Sequence, residues 1–169
     1  MSDKASEKTL EYLKNLDVEV LLNEAVSDYD GKVVQTKSGK MLLARNLVWT
    51  AGVKGQFPKG ISKESIVKGN RLKTNGFLQV DGHKNIYAIG DIAAFISEAT
   101  PKGHPQVAQT AIQHGKYLAE MLTDLIDDKP SKQFKYKDKG SLATVGKRKA
   151  VADLGKLKFG GYFAWLLWS

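Results

Sequence analysis

The chain has 169 residues, of which 42% are apolar and 26% are charged, a composition typical of a globular protein that excludes a disordered or collagen-like chain. It contains no cysteine, which excludes disulfides, thiolate metal sites and a cysteine nucleophile. The formal net charge of +8 lies in residues 129–158, which hold ten basic and two acidic residues, whereas residues 1–128 are electrically balanced.

The first half of the chain predicts one short helix followed by strands. Leucines at helical spacing predict a surface helix over residues 6–16, with Ser6 as its N-cap. Strands are predicted at residues 18–22, 32–36, 40–43 and 47–50. The Lys-Ser-Gly sequence at 37–39 predicts a hairpin, and Gly52 predicts a turn after the last of these strands. Residues 54–75, interrupted by glycine and proline, are expected to form a long connection or domain crossover.

The second half predicts another hairpin and one long helix. Residues 77–80 and 86–89 are predicted to pair as strands around Asp81-Gly82. Apolar residues at helical spacing from Pro105 to Ile126, with no proline after the first residue, predict the long helix. Short strands are predicted in the basic stretch at residues 133–136, 142–145 and 150–152.

The sharpest functional signal is the segment from Ile86 to Ala93, an apolar strand that ends in Gly90-Asp91. Open α/β sheets bind ligands at the carboxyl ends of their strands, where a carboxylate can accept a hydrogen bond from a ribose or ribityl hydroxyl. Gly90 would allow the ligand to approach the backbone. A structural turn in which Asp91 caps the following segment fits the same residues equally well.

The start of the long helix carries a second candidate site. Gln109 and Gln113 lie four residues apart on one helical face, beside small alanines. A flat ring could lie against this face, and the two amides could donate hydrogen bonds to its carbonyl oxygens. The partial positive charge at the helix N-terminus suits an electron-rich ring. From spacing alone, an alanine-rich packing face with solvated glutamines is favoured.

Several familiar binding motifs are absent from the sequence. It contains neither the glycine fingerprint G-x-G-x-x-G of a dinucleotide site nor a phosphate-binding loop. His83, His104 and His114 do not have the spacing of metal ligands. They are therefore expected to be surface or core histidines, and no metal site is predicted.

Taken together, the segments resemble type II NADH:quinone oxidoreductases, which are single-subunit flavoproteins of the pyridine nucleotide-disulfide reductase type. Residues 86–93 resemble the second flavin-contacting motif of this family, and residues 108–113 match its A-Q-x-A-x-Q signature. Residues 134–146 resemble its C-terminal strand region, and residues 159–168 resemble the start of its membrane-anchoring helix. Residues 47–53 resemble the strand and loop by which the chain leaves the NADH domain.

The resemblance implies a set of FAD contacts and a reaction. Gly90 and Asp91 would bind the ribityl side of FAD, while Val107 and Ala108 would lie near the pyrimidine edge of the flavin. The implied reaction is hydride transfer from NADH to FAD, followed by two-electron reduction of a membrane quinone without proton pumping.

The resemblance also implies contacts for the two substrates. Gln109 and Gln113 would line the quinone site, and Lys139 is a weaker candidate near the flavin and the quinone. The run Ala51-Gly52-Val53 would lie beside the path of the nicotinamide.

The fold class and the domain organisation follow from the same resemblance. We expect an α/β fold, α+β within this chain, built from incomplete Rossmann-like FAD- and NAD-binding domains. Residues 1–53 would end the NADH domain, residues 54–128 would form the C-terminal part of the FAD domain, and residues 129–169 would form a membrane-association region. Because both glycine fingerprints are absent, the chain is expected to be a C-terminal part of such an enzyme, inactive alone and without bound FAD.

The placement of the charge indicates the partners. Basic residues followed by the aromatic tract 159–168 are typical of a monotopic anchor on an anionic membrane surface. We therefore expect peripheral attachment at the cytoplasmic face of the plasma membrane, with a non-catalytic membrane-surface module as the alternative. No nucleic-acid motif accompanies the charge, so nucleic acid is not expected as a partner. Sheets that lack part of their strands have open edges, so a homodimer is also expected to be possible.

Overall fold

The computed structural model describes residues 1–98, 100–155 and 157–169. The chain divides into two compact units: unit 1 comprises Met1–Thr50 and Lys139–Ser169, and unit 2 comprises Ala51–Asp138. In chain order the helices and strands are α1 (Asp3–Lys14), β1 (Val26–Tyr29), β2 (Val33–Thr36), β3 (Met41–Leu43), β4 (Ile66–Val67), β5 (Arg71–Thr74), β6 (Ala93–Phe95), α2 (Ala108–Ile126), β7 (Ser141–Thr144), β8 (Ala150–Leu154), β9 (Leu157–Gly161) and α3 (Tyr162–Trp168). The predicted mixture of helices and sheets is confirmed, and the domain boundaries after residues 53 and 128 stay predictions.

Helix α1 confirms the predicted N-terminal helix, but it begins three residues before Ser6, and Ser2 is its N-cap residue. The strand predicted at residues 18–22 does not form. The residues that flank it, Asp17 and Asn23, have left-handed φ angles of 57° and 62°, so the backbone turns at both ends of the run.

The hairpin predicted over residues 32–43 is confirmed as β2 and β3. These strands pair antiparallel, with Val33 opposite Leu43 and Gln35 opposite Met41. Strand β1 pairs antiparallel with the other edge of β2 and was not predicted, because half of its four residues are polar. The resulting sheet has the order β1-β2-β3.

Unit 1 also contains an antiparallel sheet of order β7-β8-β9. Strands β7 and β8 confirm the strands predicted at residues 142–145 and 150–152, with β7 shifted by one residue and β8 extended to Leu154. Strand β9 takes up residues 159–161, which were interpreted as the start of a helix. They form a strand because β8 offers them a complete antiparallel ladder, with Ala152 opposite Phe159.

Helix α3 follows β9 directly and has seven residues. It packs onto β8 through Ala164, which is fully buried against Ala150 and Ala152, with Trp165 partly buried beside them. The remaining large side chains of the helix are 53% to 76% exposed: Tyr162, Phe163, Leu166, Leu167 and Trp168. The helix therefore presents an uncovered apolar face.

Among the described residues, no helix combines the length and the hydropathy that a bilayer span requires.

The core of unit 1 is small, so truncation of one of its central side chains is expected to be costly. Val151 is 1% exposed and packs with Ala5, Tyr12 and Val145. We expect V151A to lower the free energy of unfolding by about 2 kcal/mol, because it removes buried methyl groups and leaves a cavity. Urea unfolding measures this loss. The control V48A, at a side chain 82% exposed in the same unit, should change the free energy of unfolding by less than about 0.5 kcal/mol; equal losses would contradict the proposed packing.

Unit 2 is built around the sheet β4-β5-β6, in which β5 pairs antiparallel with β4 and parallel with β6. Its buried cluster is formed by Leu72, Val80, Ala88 and Ala93. Residues 54–75, which were expected to form a long connection or domain crossover, contain strands β4 and β5. The alternating basic residues of β5 concealed a strand, because charged side chains seldom indicate a buried position.

The hairpin predicted over residues 77–89 is reduced to isolated bridges. Gln79 pairs with Tyr87, and the Ala88 N–H donates to the carbonyl of Leu78 at 3.0 Å. Two regular strands do not form, because Leu78 adopts a φ of 59°, which interrupts the extended backbone.

The strands predicted at residues 47–50 and 133–136 do not form either. Both runs contain β-forming residues, but neither is in a ladder with the described strands. A strand requires the backbone of a neighbour, so propensity alone was insufficient. Val48 is 82% exposed, whereas Phe134 is buried and its N–H donates to the carbonyl of Gly76 at 2.8 Å.

Helix α2 confirms the predicted long helix and ends at the predicted Ile126. It begins at Ala108 and not at Pro105, because Val107 is extended, with a φ of −139° and a ψ of 153°. The inward face of the helix is marked by its three buried residues, Thr110, His114 and Met121.

Candidate functional site

A turn over residues 90–92 brings the predicted Gly90-Asp91 motif against α2. Gly90 is buried and has a φ of 66°, a conformation that glycine adopts without strain. A β-carbon at Gly90 would lie 3.3 Å from the β-carbon of Ala111. Both the backbone conformation and the close packing therefore require glycine here.

Asp91 and the start of α2 lie side by side at the surface. Asp91, Val107 and Ala108 are all exposed, and Gln106 Nε2 donates to the Asp91 carbonyl at 3.0 Å. Val107 provides no side-chain cap, and the Thr110 and Ala111 N–H groups donate to its carbonyl at 2.9 and 3.3 Å, so the positive end of the helix lies at this surface. The structure thus brings together the four residues predicted to contact FAD.

The two glutamines predicted for the quinone site make different contacts. Gln113 Nε2 donates to the Lys137 carbonyl at 2.9 Å, and Gln113 Oε1 accepts the Lys137 N–H at 3.0 Å. Both groups of this amide are therefore used to hold residues 133–138 against α2. Gln109 lies one turn earlier and is half-buried, and its Nε2 is 3.4 Å from Asp138 Oδ1.

Two buried histidines lie directly behind the Gly90 turn. His114 is 0% exposed and His104 is 3% exposed, which confirms the expectation of core histidines for these two. The Gly90 N–H donates to His114 Nδ1 at 3.1 Å, and His114 Nε2 lies 3.2 Å from His104 Nδ1. The Phe134 ring packs edge-on against His114, with the ring centroids 4.7 Å apart.

The sequence reasoning did not identify these histidines as part of the site. One signal was available: His114 follows Thr110 by four residues and precedes Met121 by seven, which places it on the inward face of α2. The contact with His104 could not be inferred, because it depends on the path of the loop that leads into the helix.

A buried cation, Arg71 of β5, lies next to the histidine pair. Its guanidinium donates to the carbonyls of His104 at 3.0 Å and of Lys102 at 3.3 Å, and it also donates to the carbonyl of Ala93. Gly103 leaves room for it, since a β-carbon there would lie 3.3 Å from Arg71 Nη1. Arg71 therefore ties the loop before α2 to the start of β6.

The surroundings keep both histidines neutral. Desolvation, with repulsion from His104 and Arg71, lowers the pKa of His114 to about 4. Desolvation and Arg71 also lower the pKa of His104 below its ordinary value.

The stability of the chain is expected to fall as the pH drops from 6.5 towards 4. An unfolded histidine binds its proton near pH 6.5, whereas folded His114 binds it only near pH 4. The unfolded state therefore holds more protons in this interval, and acid favours it. The loss attributable to His114 is about 3 kcal/mol. Urea unfolding at neutral pH and near pH 4 measures the loss, and H114N should show a distinctly smaller one; equal pH dependence in both proteins would contradict the assignment.

The remaining predicted residues follow the two points in the sequence at which the chain passes from one unit to the other. Ala51, Gly52 and Val53 are exposed at the start of unit 2, and Gly52 has a φ of 79°, as expected for a turn that needs glycine. Lys139 is exposed and precedes β7 in unit 1.

In the described part of the chain, no group of histidine, aspartate and glutamate side chains could hold a metal ion.

Comparison with known proteins agrees with the resemblance. The sequence profile of the family described as pyridine nucleotide-disulphide oxidoreductase matches residues 1–115. The chain is 36% identical to the type II NADH:quinone oxidoreductase NdhA of Mycobacterium tuberculosis, over 99% of this chain and 37% of that protein. It is 33% identical to the type II NADH:quinone oxidoreductase of Haemophilus influenzae, over 95% of this chain and 36% of that protein. The chain thus spans a little over a third of the length of these relatives.

The fold is similar to that of larger solved proteins. NDH2 from Plasmodium falciparum, solved in complex with NADH, matches with a TM-score of 0.79 at 23% identity, over 99% of this chain and 50% of that one. A pyridine nucleotide-disulfide family oxidoreductase from Enterococcus faecalis matches with a TM-score of 0.70 at 15% identity, over 89% of this chain and 35% of that one. These matches confirm the predicted fold class. Since the family profile covers more than half of the sequence, the chain belongs to the pyridine nucleotide-disulphide oxidoreductase family.

Proposed function

We propose that the chain is the carboxyl-terminal part of an FAD-dependent type II NADH:quinone oxidoreductase. The observation that carries the proposal is the glycine-dependent turn at Gly90, packed on Ala111 and set beside the uncapped start of α2. The relatives that bear this name, at 33% and 36% identity, support the choice of substrates. The reaction would pass two electrons from NADH through FAD to a membrane quinone without pumping protons.

The residues present fit the ribityl and pyrimidine side of FAD. The exposed carboxylate of Asp91 would accept a hydrogen bond from a ribityl hydroxyl, and the Ala108 N–H at the start of α2 would donate to a ring carbonyl oxygen. Val107 and Ala108 would flank the ring at the same helix end. FAD itself supplies the hydride and electron chemistry, and the protein binds and orients it.

Residues are also proposed for the contacts with the two substrates. Gln109 is proposed as a polar contact of the quinone, because it is half-buried on the α2 face where the helix begins. Gln113 would act by holding the Lys137 backbone as a wall of that site, since both groups of its amide are bonded there. The run Ala51-Gly52-Val53 is proposed to flank the nicotinamide, and Lys139 remains a weaker candidate near the flavin.

The proposed location is the cytoplasmic face of the plasma membrane, with peripheral attachment through α3. This helix exposes five large apolar side chains, and Lys147, Arg148 and Lys158 are exposed in the same unit. An apolar face with nearby basic residues suits an anionic membrane surface, where each basic residue contributes about 1 kcal/mol.

The proposal is tested by comparing the full-length protein with the 169-residue chain. The full-length protein should bind FAD stoichiometrically and oxidise NADH with a soluble quinone as the acceptor. The chain alone should do neither, because it has no glycine fingerprint for the pyrophosphate. A full-length protein that binds no flavin would contradict the proposal, and so would NADH oxidation by the chain alone with tightly bound flavin.

A membrane-surface module without catalysis is the second candidate, and the exposed face of α3 favours it. In that case the full-length protein would sediment with anionic vesicles but would neither bind flavin nor oxidise NADH. The flavin assay therefore separates the two candidates.

A homodimer is proposed through the open edge of β3. Met41 and Leu43 of this edge strand are 67% and 88% exposed, which leaves apolar side chains and backbone groups available to a second copy. Sedimentation velocity of the full-length protein should show a dimer that M41K weakens; a monomer at all concentrations would contradict this assembly.

A further inference from the structure

The hydrogen bonds of the buried histidine pair determine where its protons lie. A backbone N–H can only donate, so His114 Nδ1, which lies 3.1 Å from the Gly90 nitrogen, carries no proton. The proton of the neutral His114 ring is then on Nε2, which faces His104 Nδ1 at 3.2 Å. That atom must accept, so His104 also carries its proton on Nε2.

Neither ring can gain a second proton without losing a hydrogen bond. A proton on His114 Nδ1 would face the Gly90 N–H, and a proton on His104 Nδ1 would face the His114 Nε2–H. The groups around the pair also oppose a positive charge. Burial disfavours the charged ring, and the guanidinium of Arg71, which donates to the His104 carbonyl at 3.0 Å, repels it.

The pair joins three segments that meet at the candidate site. His114 belongs to α2, His104 belongs to the loop that precedes this helix, and Gly90 opens the turn before β6. Arg71 fixes the loop from the other side by donating to the carbonyls of His104 and Ala93. The position of the Gly90 turn relative to α2 is thus set by a short chain of directional contacts inside the core.

We propose that His114, supported by His104, is a positioning residue for the flavin turn: its Nδ1 accepts the Gly90 N–H and so holds Asp91 beside the start of α2. This proposal rests on the proposed function, because Asp91 and the helix start are there assigned to FAD. It adds two residues that do not themselves touch the cofactor.

Nitrogen NMR of the isotope-labelled 169-residue chain tests the hydrogen-bonded pair without any flavin. One through-hydrogen-bond nitrogen–nitrogen coupling is expected between Gly90 N and His114 Nδ1, and another between His114 Nε2 and His104 Nδ1. A proton found on His114 Nδ1, or the absence of the first coupling, would overturn the proposal.

The FAD affinity of full-length variants tests the positioning role. H114L should raise the Kd for FAD at least about tenfold, because it leaves the Gly90 N–H without a buried acceptor. H114N should stay within about threefold, since its amide oxygen can take the place of Nδ1. Asparagine is smaller than leucine and leaves the larger cavity, so a role in packing alone would make H114N the weaker binder.

His83 provides a matched control. Its Nε2 also accepts a backbone N–H, that of Ser62, at 3.4 Å, but this contact involves neither Gly90 nor α2. H83L should therefore keep the FAD affinity of the parent protein. An unchanged affinity in H114L, or equal losses in H114L and H114N, would overturn the positioning role.

The two proposals fail in distinguishable ways. If the parent full-length protein binds no FAD, the proposed function fails and the flavin role of the pair fails with it. If the parent binds FAD and H114L binds it equally well, only the positioning role fails.

Discussion

Replacing Gly90 by alanine in the full-length protein is expected to weaken FAD binding about a hundredfold. Alanine at a φ of 66° costs on the order of 1–2 kcal/mol. Its β-carbon would also lie 3.3 Å from that of Ala111, so the turn or the helix must shift. Such a shift would move Asp91 relative to the start of α2 and would weaken the hydrogen bond that the Gly90 N–H donates to His114 Nδ1. A combined cost of roughly 3 kcal/mol corresponds to the expected loss, which flavin fluorescence titration measures.

Gly82 separates the steric effect from the conformational one. Its φ of 75° is similar, but a β-carbon there would meet only Ser65 Oγ, at an ordinary contact distance of 3.9 Å. G82A should lower the free energy of unfolding by about 1–2 kcal/mol and leave the FAD affinity unchanged. Equal loss of affinity in G82A and G90A would show that general stability is responsible. An unaffected G90A would contradict the placement of FAD at this turn.

The elements that could be predicted from the sequence are those determined by local chemistry. The helix α2 and the β2–β3 hairpin follow from apolar spacing and from turn residues within a few positions of one another. The runs at residues 18–22, 47–50 and 133–136 also contain apolar residues, but they form no strand. Strand pairing depends on segments that are distant in the sequence, which local composition does not indicate. Strand β5 shows the converse case: Arg71 is buried by contacts with three carbonyls that no local pattern indicates.

In the candidate site, too, the local motifs could be predicted and the long-range contacts could not. Gly90-Asp91 and the start of α2 were predictable, because each is a contiguous motif. The contact between them runs through His114 and His104, which are ten residues apart on a helix and a loop, and it could not be read from spacing. The resemblance implied that Gln113 lines the quinone site, whereas its spacing alone favoured a solvated amide on an alanine-rich helix face. In the structure its amide bonds to the Lys137 backbone, a partner 24 residues away.

Removing two apolar side chains from α3 is expected to weaken the binding of the chain to anionic vesicles about thirtyfold. Phe163 and Leu167 lie four residues apart on one helical face and are 76% and 57% exposed, so they can enter a bilayer surface without unfolding the protein. Burying side chains of this size contributes about 1 kcal/mol each when only part of their surface is covered. Vesicle sedimentation of the F163S/L167S variant measures the loss. The helix should stay folded, because it packs through Ala164 and Trp165.

Two further variants decide whether α3 itself contacts the membrane. V48S removes a side chain that is 82% exposed in the same unit and lies outside the proposed dimer edge, so it tests whether any exposed apolar residue contributes equally. It should bind vesicles like the parent chain, and a loss as large as that of F163S/L167S would contradict a specific role for α3.

The variant K147Q/R148Q tests the contribution of charge, because it removes two exposed positive charges near the sheet. Because the attraction of basic residues depends on anionic lipid and amounts to about 1 kcal/mol each, this variant should lose about thirtyfold on anionic vesicles and nothing on neutral ones, whereas the α3 variant should lose affinity for both. If α3 contacts the membrane, the loss of its apolar side chains should weaken binding to both kinds of vesicle. The loss of the two basic residues should weaken binding to anionic vesicles alone.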